Sequence, residues 1–148
     1  MLFRSGIVTC DAGENRILMT HYYQTKQAGG FLQAAGSGPM GFAIPAAMGA
    51  KLVHPDVPVV AVCGDGGFGM TMNGLMSAIE HDLPITVVIM NNGHLGWVAH
   101  GAGPFAAEFK DFDHAAIARA MERCALTPLA DRPATELSGG EQIGRAHV

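Results

Sequence analysis

At 148 residues, 49% of them hydrophobic and with a mean hydropathy of +0.22, the chain can bury one sizeable core and reads as an α/β domain rather than a disordered segment. A net charge of −4, a pI near 5.9 and the lack of any Lys/Arg cluster exclude the electrostatic footprint of a nucleic-acid or anionic-membrane binder. Cys10, Cys63 and Cys124 are odd in number and lack metal-ligand spacing, so they read as small buried hydrophobes in a reducing compartment, not as a disulfide framework.

In chain order, MLFRSGIVTCD has too short an apolar run for a signal or transit peptide, and the expected address is cytoplasmic. IVTC (7–10) predicts a short buried strand, DAGENR a loop and ILMTHYYQ a helical stretch. Residues 31–52 carry no charge until Lys51 and are about as long as a membrane span, but their glycines, two prolines and small side chains predict a loop feeding a tightly packed helix over about 42–52. HPDVP (54–58) reads as a turn. PVVAVCG (58–64) and PITVVIMN (84–91) are continuous β-branched runs, expected of parallel strands buried on both faces, with a helix over TMNGLMSAIEHD (71–82) between them. FKDFDHAAIARAMERCA (109–125) predicts a loop and then a helix with Asp113 as N-cap. Together these elements predict an α/β fold, a doubly wound and mostly parallel sheet with helices on both faces.

A right-handed crossover would bring the carboxyl ends of the two apolar strands to one edge of the sheet, where open α/β sheets bind ligands. Asp65 and Asn92 can therefore meet. Gly64 to Gly69 also fits G-x-G-x-x-G after a strand, which leaves a nicotinamide dinucleotide-binding oxidoreductase domain as an alternative. That fingerprint expects an acidic residue roughly 20 positions on, to accept from a ribose hydroxyl; Asn91 and Asn92 stand there instead. A carboxylate among the glycines would repel a pyrophosphate unless a cation lay between them. An Asp carboxylate, an Asn carbonyl and a backbone carbonyl form an all-oxygen set suited to Mg²⁺.

GDG, 24 intervening residues and NN resemble the diphosphate-binding motif of thiamine diphosphate-dependent enzymes. IVTCDAGENRILMTHYY followed by GSGPMGFAIPAAMGAKL is similar to the acetolactate synthase and pyruvate oxidase group, and the resemblance covers about residues 5–121. It implies Asp65, Asn92 and the backbone carbonyl of His94 as metal ligands. It also implies that Gly66, Gly67, Leu95 and Gly96 lie along the diphosphate through backbone N–H groups, with Gly64 among the cofactor-binding residues. Met40 would prop the cofactor into a bent shape, and the Gly38 carbonyl would accept from its amino group; without the family context Met40 reads equally as core filler. Asn15 falls where the pattern often has a His near the diphosphate, and Glu14 replaces a neutral Gln, adding negative charge there. His21, His54, His81, His100 and His114 have no ligand-like spacing and read as structural or surface residues, and Trp97 reads as core.

The resemblance further implies a module of a 2-oxo acid decarboxylase or carboligase in which the cofactor holds the charge left by CO₂. The activating Glu would come from a separate pyrimidine-binding domain, usually of the other subunit in a homo-oligomer. No catalytic residue is then expected in this chain, which alone should be inactive, a non-catalytic binding fragment being the other alternative. Whether the parent enzyme carries FAD is left open. CALTPLADRPATELSGGEQ (124–142) resembles the signature segment of ABC-type ATPases, although no G-x-x-x-x-G-K-[ST] accompanies it. IGRAHV (143–148) back-translates to a sequence like a common sequencing adaptor. The expectation is a chimera, with a cofactor-binding fragment over 1–121 and a tail of separate origin over 122–148.

Overall fold

The computed structural model describes residues 5–103, 105–110, 113 and 116. The chain divides into two units, Met1–Lys110 and Asp111–Val148, and the elements below belong to the first. They follow in the order β1 (Ile7–Cys10), α1 (Glu14–Tyr22), β2 (Phe31–Gln33), α2 (Ala43–Val53), β3 (Val59–Gly64), α3 (Asp65–Thr71), α4 (Gly74–Glu80), β4 (Thr86–Met90) and α5 (Gly96–Ala102).

The sheet has the order β2-β1-β3-β4, and every pairing is parallel. Successive strand residues point to opposite faces. Thr9 donates through Oγ1 to the carbonyl of Ala43 in α2 at 2.7 Å, whereas its neighbour Cys10 receives the Asn15 amide of α1 at 3.8 Å. Helices therefore cover both faces of β1, whose four residues are all buried. The doubly wound α/β expectation holds. β4 departs from it: Thr86 is exposed and only Ile89 is buried, because β4 has a strand partner on one side alone among the described residues.

α2 packs as its composition predicts. Ala43, Ile44 and Ala47 have no exposed surface, and small side chains let the helix approach the sheet closely. Pro45 is tolerated in the first turn, where its N–H would have no intrahelical partner. At the other end the Lys51 ammonium donates to the Val57 carbonyl at 3.0 Å, tying the helix to the turn before β3.

Three local expectations are corrected. β2 lies inside the stretch read as loop, and its three residues are a strand only through pairing with β1. The helix after β3 begins at Asp65 rather than near residue 71, and Met72 and Asn73 divide it into α3 and α4. Trp97 is 62% exposed, since α5 buries none of its residues. Asp113 does accept from the Ala116 N–H at 2.8 Å, the bond expected of an N-cap. His114, Cys124, Met121, the LSGGEQ segment and the terminal IGRAHV lie outside the described residues. No helix among the described residues is long and apolar enough to cross a membrane.

Candidate functional site

The strand order reverses its direction of growth between β1 and β3, which opens a crevice at their carboxyl ends. Asp11 follows β1 directly, and Gly64 and Asp65 close β3. Both acids are buried.

Asp11 organises the crevice floor. Its Oδ1 accepts from the Phe42 N–H at 2.9 Å and the Ala12 N–H at 3.0 Å, and its Oδ2 accepts from the Gly41 N–H at 2.9 Å. The same carboxylate lies against Gly67, where a Cβ would collide with Oδ2. Gly41 has φ 80, a left-handed conformation that turns the chain just after Met40. Met40 is thereby held over α3, and a Cβ on Gly66 would lie 2.8 Å from Met40 Cε, 2.9 Å from Leu95 Cδ2 and 3.2 Å from Phe109 Cζ. Gly66 and Gly67 both have ordinary negative φ values within the helix. Their missing side chains serve close approach, not an unusual backbone.

Asp65 joins the ends of β3 and β4. Its Oδ2 accepts from the Gly93 N–H at 2.7 Å and its Oδ1 from the Gly66 N–H at 2.8 Å. Gly93, at φ 68, reverses the loop so that Asn91 Oδ1 accepts from the same N–H at 3.2 Å and Asn92 Oδ1 from the His94 N–H at 3.1 Å. His94 then forms an isolated antiparallel bridge with Glu108, flanked by bonds from the Leu95 N–H to the Ala107 carbonyl and from the Phe109 N–H to the Gly93 carbonyl. In such a pair the bridged residue's own carbonyl stays outside the ladder. Asp65 and Asn92 thus come together at one edge, as the spacing predicts, with His94 next to them.

Asn15 is buried and donates to the Asp11 carbonyl at 3.1 Å, so its amide stiffens the β1–α1 junction. A Cβ on Gly64 would be 3.8 Å from Asn15 Oδ1, which places that oxygen at the crevice. Gly38, at φ 59, sits beside the Arg16 guanidinium, 2.9 Å from the position of a Cβ. Glu14 abuts Gly96, and its Oε2 accepts from Asn92 Nδ2 at 3.1 Å. The thiols behind the site are inert. Burial pushes Cys63 up to about 12 and Cys10 up to about 11, so neither is a thiolate near neutral pH. His21, His54, His81 and His100 are exposed, and His100 Nδ1 approaches Glu14 Oε1 at 3.6 Å.

Asp11, Arg16 and Phe109 are the site neighbours that residue-by-residue reading passed over. Asp11 carries the same signal as Asp65, a bare carboxylate closing a buried strand. Arg16 and Phe109 carry none, because Arg16 is placed only by the chain folding Gly38 against it and Phe109 reaches Gly66 from far along the chain.

The family described as "Thiamine pyrophosphate enzyme, C-terminal TPP binding domain" matches residues 11–138. The chain belongs to this family. As a TPP-binding domain it is similar to the "Probable acetolactate synthase large subunit" of Methanocaldococcus jannaschii, with 41% identity over 95 residues, 64% of this chain and 16% of that protein. It is also similar to the acetolactate synthase isozyme 3 large subunit of Escherichia coli, with 38% identity over 91 residues, 62% of this chain and 16% of that protein. The acetolactate synthase large subunit of Lactococcus lactis is 39% identical over 102 residues, 69% of this chain and 18% of that protein. The TPP-binding domain therefore spans roughly a sixth of the length of these curated relatives.

Proposed function

We propose that the chain holds thiamine diphosphate through Mg²⁺ as the diphosphate-binding module of an acetolactate synthase-like enzyme acting on 2-oxo acids. The observation that carries this reading is the Asp65 bond to the Gly93 N–H, which draws the end of β3 and the Asn91–Asn92 loop into one all-oxygen cluster. The donor chemistry fits the ion. Among the described residues each Asp65 oxygen and the Asn92 Oδ1 has one hydrogen-bond partner and keeps a second acceptor position, and the His94 carbonyl lies outside its bridge. The charges require a cation too, since Asp11, Glu14 and Asp65 share this edge and would repel a diphosphate.

In this reading Asp65, Asn92 and the His94 carbonyl hold the metal. Gly64, Gly67 and Gly96 would lie along the diphosphate with Asn15 beside it, whereas the N–H groups of Gly66 and Leu95 are already given to Asp65 Oδ1 and to the Ala107 carbonyl. Met40, fixed through Gly41 and Phe42 by Asp11, supports the cofactor, whose amino group the Gly38 carbonyl accepts. When bound, the cofactor supplies an electron sink for loss of CO₂. The chain's own residues bind and orient it and keep water from one side. Turnover requires a Glu from a pyrimidine-binding domain of a partner subunit in a homo-oligomer, so these residues alone bind without reacting, and FAD is a matter for the whole enzyme. Buried neutral thiols suit a reducing compartment, and we place the chain in the cytoplasm.

Calorimetric titration of the full chain with thiamine diphosphate tests this. Binding with Mg²⁺ and its loss on chelation is the expected result; metal-independent binding of NAD in its place would overturn it. We also propose that residues 1–121 form the cofactor unit and 122–148 a tail of separate origin. The family match reaching residue 138 weighs against that boundary. Long-read sequencing of the source locus is expected to depart from this sequence after about Met121, and one uninterrupted read through the junction would refute the chimera.

A further inference from the structure

Glu14 opens α1 from the loop after β1, and its side chain is 37% exposed. All three atoms of its carboxyl group crowd the space where a side chain on Gly96 would stand, and Oε2 takes a hydrogen from Asn92 Nδ2 at 3.1 Å. Oε1 lies 3.6 Å from His100 Nδ1. Gly96 and Asn92 belong to the cluster assigned above to the diphosphate and its metal. A carboxylate of this chain therefore already rests on part of an anion's seat.

We propose that Glu14 is a built-in competitor for the diphosphate position, which lowers the chain's affinity for diphosphate compounds and must swing away when one binds. This rests on the cofactor reading above. The physical reason is Coulombic. A diphosphate bound near this carboxylate loses binding free energy in proportion to the repulsion that remains once Glu14 has swung aside, and bulk salt weakens that repulsion because Glu14 is partly exposed. A neutral amide of the same shape keeps the packing against Gly96 and removes the charge.

The test is calorimetry on the full chain and its Glu14→Gln variant with inorganic pyrophosphate, thiamine diphosphate and unphosphorylated thiamine, at saturating Mg²⁺ and two ionic strengths. Glu14→Gln is expected to bind both diphosphates about tenfold more tightly at low salt, with the gain shrinking at high salt, and to gain nothing for thiamine. Glu14→Ala should move in the same direction, which covers failure of the first variant to fold. Equal or weaker diphosphate binding by the neutral variants would overturn the proposal while leaving the cofactor reading in place. Failure of every form, wild type included, to bind either diphosphate would remove the cofactor reading and this proposal with it.

Discussion

The carboxylate of Asp11 lies against the backbone of Gly67, and the two are joined so closely that no side chain fits between them. One strand end and the first turn of α3 thereby share a boundary without a gap. Because Asp11 is itself fixed by three backbone N–H groups, it cannot retreat. Gly67→Ala should therefore destabilise the fold by about 2–3 kcal/mol through overpacking, against a helix-propensity gain of about 1 kcal/mol. Urea denaturation of the two forms would measure this, and an unchanged midpoint would contradict the packing argument.

Gly66, one residue earlier, should behave differently. Its added Cβ would meet the ends of Met40, Leu95 and Phe109, all of which are side chains that can rotate. Gly66→Ala is expected to shift stability by less than about 1 kcal/mol. It should nevertheless close the space beneath Met40 and abolish thiamine diphosphate binding in the same calorimetric assay. Retained binding would show that this space is not the cofactor's.

Asp11→Asn keeps the shape of the side chain but turns an acceptor oxygen into an NH₂ group facing backbone donors. Two or three charge-assisted bonds to Ala12, Gly41 and Phe42 would be lost or weakened. The expected cost is about 2–4 kcal/mol in urea unfolding, since a buried donor left unpaired is expensive. Loosening of the Gly41 turn should also raise protease cleavage near Met40. An unaltered cleavage pattern would argue that the turn holds without Asp11.

Cys10 and Cys63 should resist alkylation at pH 8 in the folded chain and react quickly in denaturant. Burial raises their pKa values from 9.0 to about 11 and about 12, so the fold disfavours the thiolate. The sign for stability follows: the contribution is intact below pH 9 and is lost as pH rises through 11 to 12. Thermal melts across pH 8 to 11 would check it, with Cys63→Ala expected to fall less steeply than wild type over that range.

Much of this protein was legible in its residues. Continuous β-branched runs announced β3 and β4, small side chains announced α2, and the acid and amides at the two strand ends announced a shared edge, because each of these signals is local to a few neighbouring positions. The meeting of the two strand ends follows from a parallel strand–helix–strand connection, whereas the Asp65–Gly93 bond depends on the turn of the folded loop. Other features needed the folded chain. β2 exists by pairing with β1, and the glycines of GDGGFG read as a loop but form helix, since their lack of side chains answers Asp11, Met40, Leu95 and Phe109. Trp97 is apolar enough to predict burial, yet its helix buries none of its residues. Glu14 and Gly96 lie far apart in sequence, and only packing puts them in contact. Periodicity records what a segment prefers, whereas these contacts depend on which distant groups the sheet's winding brings within a few ångströms.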